Sequence, residues 1–436
     1  MGRNLPVIDG PDGAIAVGAD LSSDRRVVRR DIDRQIALAG VALALAFIVA
    51  AAVALIGGRG TWTVLHLVLA GAAGTAIVAV MPFFASALSM APPVPARLRM
   101  ASVAMAAIGA SSVAVAVPEG LRALALLGGG AYVLGLAGSA VGLIHASTRG
   151  LGRRHRIIVA GYGAGVVFVL LGVTLVIAYL HTFAPVVDRW PTLKPVHAWL
   201  NLVGFVGLTL AATYVHLVPT VLGARIAADR LATVAIGGLA LGVAGVSVGF
   251  VVGSDVVART FAVVVLIGAL AVPGKAVMAA RQPGRGRWTT DLEWREFSSV
   301  SLVASTLWFA IGVGAAASGV ILHGATATAW SLATVAVPLV VGSVLQAFVA
   351  SATHLVPTLR GASSATRSRL GRAARPRIVA WQVGTAGIWV AAVLGLSPVV
   401  TMLGGVILAL AAAAAVVTLG SALLRDRRLD RPQPSA

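Results

Sequence analysis

The chain has 436 residues, 58% of them hydrophobic and 11% charged, and its 34 Lys and Arg against 15 Asp and Glu give a formal net charge of +19. So little charge over such a length excludes a soluble globular domain and points to a helical protein that crosses a membrane many times. The absence of cysteine excludes a disulfide frame, a thiolate nucleophile and an iron–sulfur cluster.

Residues 1–34 are polar and mixed in charge, with RRVVRR at Arg25–Arg30. A cleavable signal would place its apolar core in this stretch, so it reads as a retained cytoplasmic tail. From 35 to 424 a window of about 19 residues predicts twelve apolar spans. They fall at 35–57, 62–90, 100–117, 121–147, 157–183, 195–222, 231–253, 260–280, 297–322, 327–358, 378–396 and 398–424. Residues 425–436 read as a second short cytoplasmic tail. The expected fold is therefore an all-α polytopic membrane domain of about 12 transmembrane helices. Spans two, six and ten exceed the ~20 residues that a bilayer needs, so they are expected to tilt, kink or protrude.

Arginine and lysine set the orientation. The loops after odd-numbered spans hold five basic residues, Arg59, Arg122, Arg189, Lys194 and Arg259, and the tails and remaining loops hold the other 29 of 34. This split places both termini on the cytoplasmic side, and the near absence of lysine suggests a bacterial plasma membrane. The positive charge is then topological, with the anionic head groups of the lipid bilayer as its partner and no role for nucleic acid. Within it, the loops Arg149–Arg156 and Arg360–Arg377 are dense enough to bind something more specific. No Asp, Glu or Lys falls at mid-span depth, which counts against ion-coupled transport.

Spans two, six and ten each carry a proline towards one end, Pro82, Pro219 and Pro357, separated by 137 and 138 residues. Around the last two the words His216-Leu-Val-Pro219-Thr and His354-Leu-Val-Pro357-Thr are identical, and Gly204 aligns with Gly342. Aligning on the prolines puts Ala79 opposite the two histidines. Fixed-period similarity of this kind suggests three four-helix pseudo-repeats in tandem.

Histidine inside a membrane span is costly and marks a functional site by default. His216 and His354 lie at matching depth near the Arg-rich end, where facing imidazoles can ligate a haem iron or contribute to a copper site; hydrogen bonds to neighbouring helices are the bland alternative. His66 and His197 lie towards the Arg-poor end. Asn201, four residues after His197, shares its helix face and is placed to orient it from a second shell. Gly71 and Gly74, after His66, would let a flat macrocycle or another helix come close. His181 and His323 read as interfacial, and His145 and His155 as head-group contacts. Met81 reads as a gap-filler more readily than as a thioether ligand. Trp62, Trp190, Trp199, Trp330, Trp288 and Trp294 read as interfacial belts. No phosphate-binding Gly-rich loop, zinc-protease helix motif or nucleophile–base set is present in the sequence.

Twelve spans in three four-helix arcs, with histidines on spans two, six and ten, resemble the catalytic subunit of haem–copper oxidases. The wording from His197 to Gly207, followed by His216-Leu-Val-Pro219-Thr, is similar to the membrane module of bacterial copper nitrite reductases and multicopper oxidases. It is also similar to haem- and copper-binding membrane proteins of the nitric-oxide response. The resemblance implies haem b and/or copper at His66, His197, His216 and His354, and electron transfer or handling of nitric oxide or copper. It implies work beside a separate redox partner such as a cupredoxin or cytochrome. Oxygen reduction is not implied. The oxidases carry a His/Tyr pair on span six, a His pair on span seven and His-x-His on span ten. Here Asn201 follows His197, residues 231–253 contain no histidine, and His354 stands alone. The competing readings are a twelve-span transporter of a small neutral or metal-bearing substrate, and a metal-free assembly subunit.

Overall fold

The computed structural model describes residues 14–152, 155–226, 229–282, 294–325 and 332–429. Among them are twelve helices long and apolar enough to cross a membrane. They are α1 (Gln35–Ile56), α2 (Thr61–Ser89), α3 (Ala96–Ala116), α4 (Arg122–Arg149), α5 (Arg156–Leu180) and α6 (Trp190–Leu222), then α7 (Arg230–Val252), α8 (Asp255–Ala280), α9 (Glu296–His323), α10 (Thr334–Arg360), α11 (Ala374–Leu394) and α12 (Pro398–Ser421). No strand occurs among the described residues. The helix that contains α1 begins at Ala14, so much of the expected N-terminal tail continues it. The stretches 1–13 and 430–436 and the residues Trp288 and Trp330 lie outside the described residues.

The loops sort into two ends. Arg59 of the first loop pairs with Glu119 of the third at 2.8 Å, and Arg122 donates to Thr182 of the fifth at 3.2 Å. At the other end the Gly152 amide donates to the Ser89 carbonyl at 2.9 Å, and Arg375 pairs with Glu296 at 2.8 Å. Odd loops meet odd loops and even loops meet even loops, as twelve alternating passes require. Large apolar side chains such as Leu127, Leu134, Ile144, Val167 and Leu241 stand exposed along the helix flanks. In water such a surface would aggregate, whereas lipid tails cover it without cost.

The three-unit organisation is visible in the backbone. The second helix of each unit contains a π-helical stretch, Leu67–Gly74 in α2, Trp199–Gly207 in α6 and Val337–Leu345 in α10. Such stretches are rare and arise where a side chain inserts against the helix or a site needs a wider turn. Here each holds a glycine facing an aromatic ring from the first helix of its own unit. Gly71 meets Phe47, Gly204 meets Phe168 and Gly342 meets Trp308. The third and fourth helices of each unit pair as close hairpins. A Cβ on Gly109 would stand 2.5 Å from the Tyr132 nitrogen, on Gly249 2.6 Å from that of Ala258, and on Gly384 2.8 Å from that of Leu408. Small residues therefore let these backbones touch.

The register of unit one differs from the proline alignment. After each π stretch a 15-residue α-helix runs to a left-handed residue: Thr75–Ser89 to Met90, Leu208–Leu222 to Gly223, and Gln346–Arg360 to Gly361. Counting from these starts, Phe83 stands where the other units have His216 and His354, and Ala79 lies one turn earlier. The physical reason is that Pro82 sits four residues closer to its π stretch than Pro219 and Pro357 do, about one turn of helix.

Two tryptophans expected at the interface are in the interior. Trp199 is fully buried, because it opens the π stretch of α6 on the face turned to the core. Trp294 is 6% exposed and packs with Leu370.

Lys275 is the one lysine buried among the described residues, and it pairs with Asp229, which also caps α7 by accepting from the Ala232 amide at 3.0 Å. Burial pushes the Asp229 carboxyl up, but the Lys275 ammonium and the Ala232 amide together hold it below its usual range. A carboxylate lowered on folding adds stability above its unfolded value, about 3.9, and loses it as pH falls through the folded value. The thermal midpoint should therefore be insensitive to this pair between about pH 6 and 8 and should fall on acidification below about pH 4. Asp229→Asn should cost about 3 kcal/mol by leaving a buried ammonium unpaired, and Lys275→Met should restore most of the loss in the double variant. For the packing, Gly204→Ala should cost about 1–3 kcal/mol in thermal or denaturant unfolding, since its methyl would lie 2.9 Å from the Phe168 ring. An unchanged midpoint would mean that the ring is not wedged there.

Candidate functional site

All four candidate histidines lie on the second helices of the units: His66 on α2, His197 and His216 on α6, and His354 on α10. These helices are the most buried of their units, and in α6 83% of the apolar window is inside the bundle. A ligand bound to them is thus held by the innermost elements of the fold.

His66 and His197 stand just ahead of the π stretches of α2 and α6, which touch each other. Their imidazoles lie within electrostatic range of one another. His66 places Nδ1 2.8 Å from the Trp62 carbonyl and stacks on the Trp62 ring at 3.8 Å. His197 places Nδ1 2.9 Å from the carbonyl of Gly172 on α5. A carbonyl only accepts, so the His66 contact puts the ring proton on Nδ1 and leaves Nε2 with its lone pair, whereas Nδ1 of His197 faces both a carbonyl and an amide donor. The Asn201 amide lies 3.1 Å from the same Nδ1 and donates to the His197 carbonyl at 2.7 Å. A side chain on Gly172 would run into that amide, so glycine there makes room for the arrangement. The spacing of His197 and Asn201 thus gives the contact expected from the sequence.

His216 is 4% exposed. Its Nδ1 lies 3.1 Å from the Ala212 carbonyl and 3.5 Å from the Tyr162 hydroxyl, and Phe84 meets its ring edge-on at 4.7 Å. Its Nε2 is buried and has no hydrogen-bond partner. His354, 7% exposed, stacks parallel on Trp294 at 5.5 Å, lies in the field of Arg295 and Arg367, and leaves Nδ1 without a partner. The two rings of this expected pair therefore have separate surroundings, His216 among α2 and α5 and His354 beside Trp294. His181 and His323 are exposed, in keeping with an interfacial place.

The room beside Gly71 and Gly74 is taken by Phe47 and by the Tyr132 hydroxyl, so close approach of other helices is what those glycines permit. Met81 is 2% exposed within the main core and fills a gap. Between α1, α2, α6 and α10 lies a cavity of about 180 Å³ walled by residues such as Val41, Phe84, Leu210 and Leu355, with Thr209 and Thr213 among its few polar neighbours. Among the described residues no group of three or more His, Cys, Asp or Glu is gathered to hold a metal ion.

One polar cluster escaped the sequence reading. The Tyr214 hydroxyl lies 2.9 Å from Ser343 Oγ, joining α6 and α10. Ser298, Ser301 and Ser305, all buried, recur at helical spacing, and that periodicity was the available signal. No protein-family model matches the chain, and no curated protein matches it. Tyr214→Phe, which leaves Ser343 without this bond, should lower the unfolding free energy by about 1 kcal/mol, read from the thermal midpoint in detergent.

Proposed function

We propose that the protein is an integral membrane protein of the haem–copper oxidase-like class that holds haem b between His66 and His197. The observation that supports this most is the anchoring of each ring through Nδ1. It lies 2.8 Å from the Trp62 carbonyl in His66 and 2.9 Å from the Gly172 carbonyl in His197, outer-shell contacts of the kind that metal-ligating histidines use. Two imidazoles with no third His, Cys, Asp or Glu gathered beside them among the described residues suit a macrocycle that brings its own four nitrogens. A copper ion held by side chains alone takes further ligands, so copper suits this pair less well.

Bound haem b would supply one-electron redox chemistry. The chain's own residues hold the rings: the Trp62 and Gly172 carbonyls set their orientation, and Asn201 ties down the backbone of His197. His216, with its orphaned Nε2, is a second candidate ligand for haem or copper. His354 suits a metal cation less well, because Arg295 and Arg367 surround it with positive charge. The role is electron transfer, or handling of nitric oxide or copper, beside a cupredoxin or cytochrome. The split of basic residues favours a bacterial plasma membrane with both termini cytoplasmic.

A second reading, transport of a small neutral substrate, is favoured by the central cavity alone, whose walls suit an apolar molecule. An optical spectrum of the purified protein, oxidised and then reduced, with iron and copper counted on the same sample, separates the two. A Soret band with sharp reduced α and β bands, near one iron per chain, is expected. His66→Ala and His197→Ala should each lower the iron content several-fold. A featureless spectrum without bound metal, after expression with ample haem and copper, would leave transport or assembly.

A further inference from the structure

At the Arg-rich end, where α9 begins and α10 ends, positive charge is gathered around one indole. Trp294 is buried, His354 stacks on it, and the guanidinium carbons of Arg295 and Arg367 lie 4.9 and 5.4 Å from its ring centroid. Arg367 belongs to the short helix Ser364–Gly371, whose Leu370 packs against Trp294. Arg377, 5% exposed, crosses beneath this helix. It donates to the Leu370 carbonyl at 2.8 Å and the Arg372 carbonyl at 3.0 Å, and lies 4.6 Å over Phe297.

The donors exceed their acceptors. Arg367 Nε, Arg377 Nη1 and His354 Nδ1 are buried atoms without a hydrogen-bond partner. Arg367, Arg369, Arg372, Arg375 and Arg377 stand close together in the sequence, and Glu296 is engaged by Arg375 at 2.8 Å. Cations held against one ring repel each other, and buried N–H groups without acceptors are costly. Both costs are relieved by one anion that accepts several hydrogen bonds.

We propose that this cluster binds a phosphate group, carried by an anionic phospholipid head group or by a free phosphate. Phosphate oxygens match the forked guanidinium donors. Arg367 and Arg377 supply the charge, and His354 presents its unpartnered Nδ1. The site lies at the opposite end of the bundle from His66 and His197 and does not depend on a haem there.

The test uses the full chain, delipidated in a neutral detergent. Its thermal midpoint is followed against short-chain phosphatidylglycerol, short-chain phosphatidylcholine, and inorganic phosphate at constant ionic strength. The wild type should be stabilised, with a midpoint response to phosphatidylglycerol or phosphate at least fivefold more sensitive than in Arg367→Gln. Arg97→Gln, at the same end but outside the cluster, should respond as the wild type does. A response to phosphatidylglycerol alone assigns the site to lipid, and an equal response to inorganic phosphate assigns it to a free anion. Should Arg367→Gln fold poorly, native mass spectrometry of the wild type decides: retention of about one phosphatidylglycerol over phosphatidylcholine, or of one phosphate, is expected. No stabilisation of the wild type by either probe, or the same response in Arg367→Gln, overturns the proposal.

Discussion

In each four-helix unit an aromatic ring from the first helix is seated against a glycine in the π-helical stretch of the second. The three contacts, Phe47 on Gly71, Phe168 on Gly204 and Trp308 on Gly342, tie the innermost helices to the rest of the bundle. Without a hydrophobic drive between helices in lipid, close packing of this kind is what holds them together. A wider turn also re-aims the residues just before it. His66 and His197 stand at that position on α2 and α6, with Nδ1 of each ring held against a backbone carbonyl.

The two ends of the bundle differ chemically. At the Arg-poor end the imidazoles of His66 and His197 stand among aromatic and backbone groups. At the Arg-rich end the repeated His-Leu-Val-Pro-Thr words serve two environments. His216 is enclosed by Tyr162 and Phe84, whereas His354 is stacked on Trp294 among guanidinium groups. Identical words on equivalent helices have thus acquired different surroundings, because the neighbours come from other helices.

Much of the fold was legible in the sequence, since a bilayer forces apolar runs of about twenty residues and leaves arginine to mark the loops. The helices match the apolar spans to within a few residues at most ends, and the contact of Asn201 with His197 follows from a spacing of four. The π stretches were not legible. They depend on rings inserted from the preceding helix, and no residue type announces them. The burial of Trp199 and Trp294 escaped for the same reason: apolar periodicity does not tell a lipid-facing side from a protein-facing one. The register of unit one was misread because Pro82 is displaced by one turn while the glycine and the helix end keep their places.

The central claim is that His66 and His197 form a bis-imidazole site. It is tested most directly by low-temperature electron paramagnetic resonance of the protein loaded with ferric haem b. Two axial imidazoles give a low-spin signal, which the wild type should show and which His197→Ala should convert to high spin. A wild type that takes up no haem, or a His66→Ala/His197→Ala variant that keeps the low-spin signal, would contradict it.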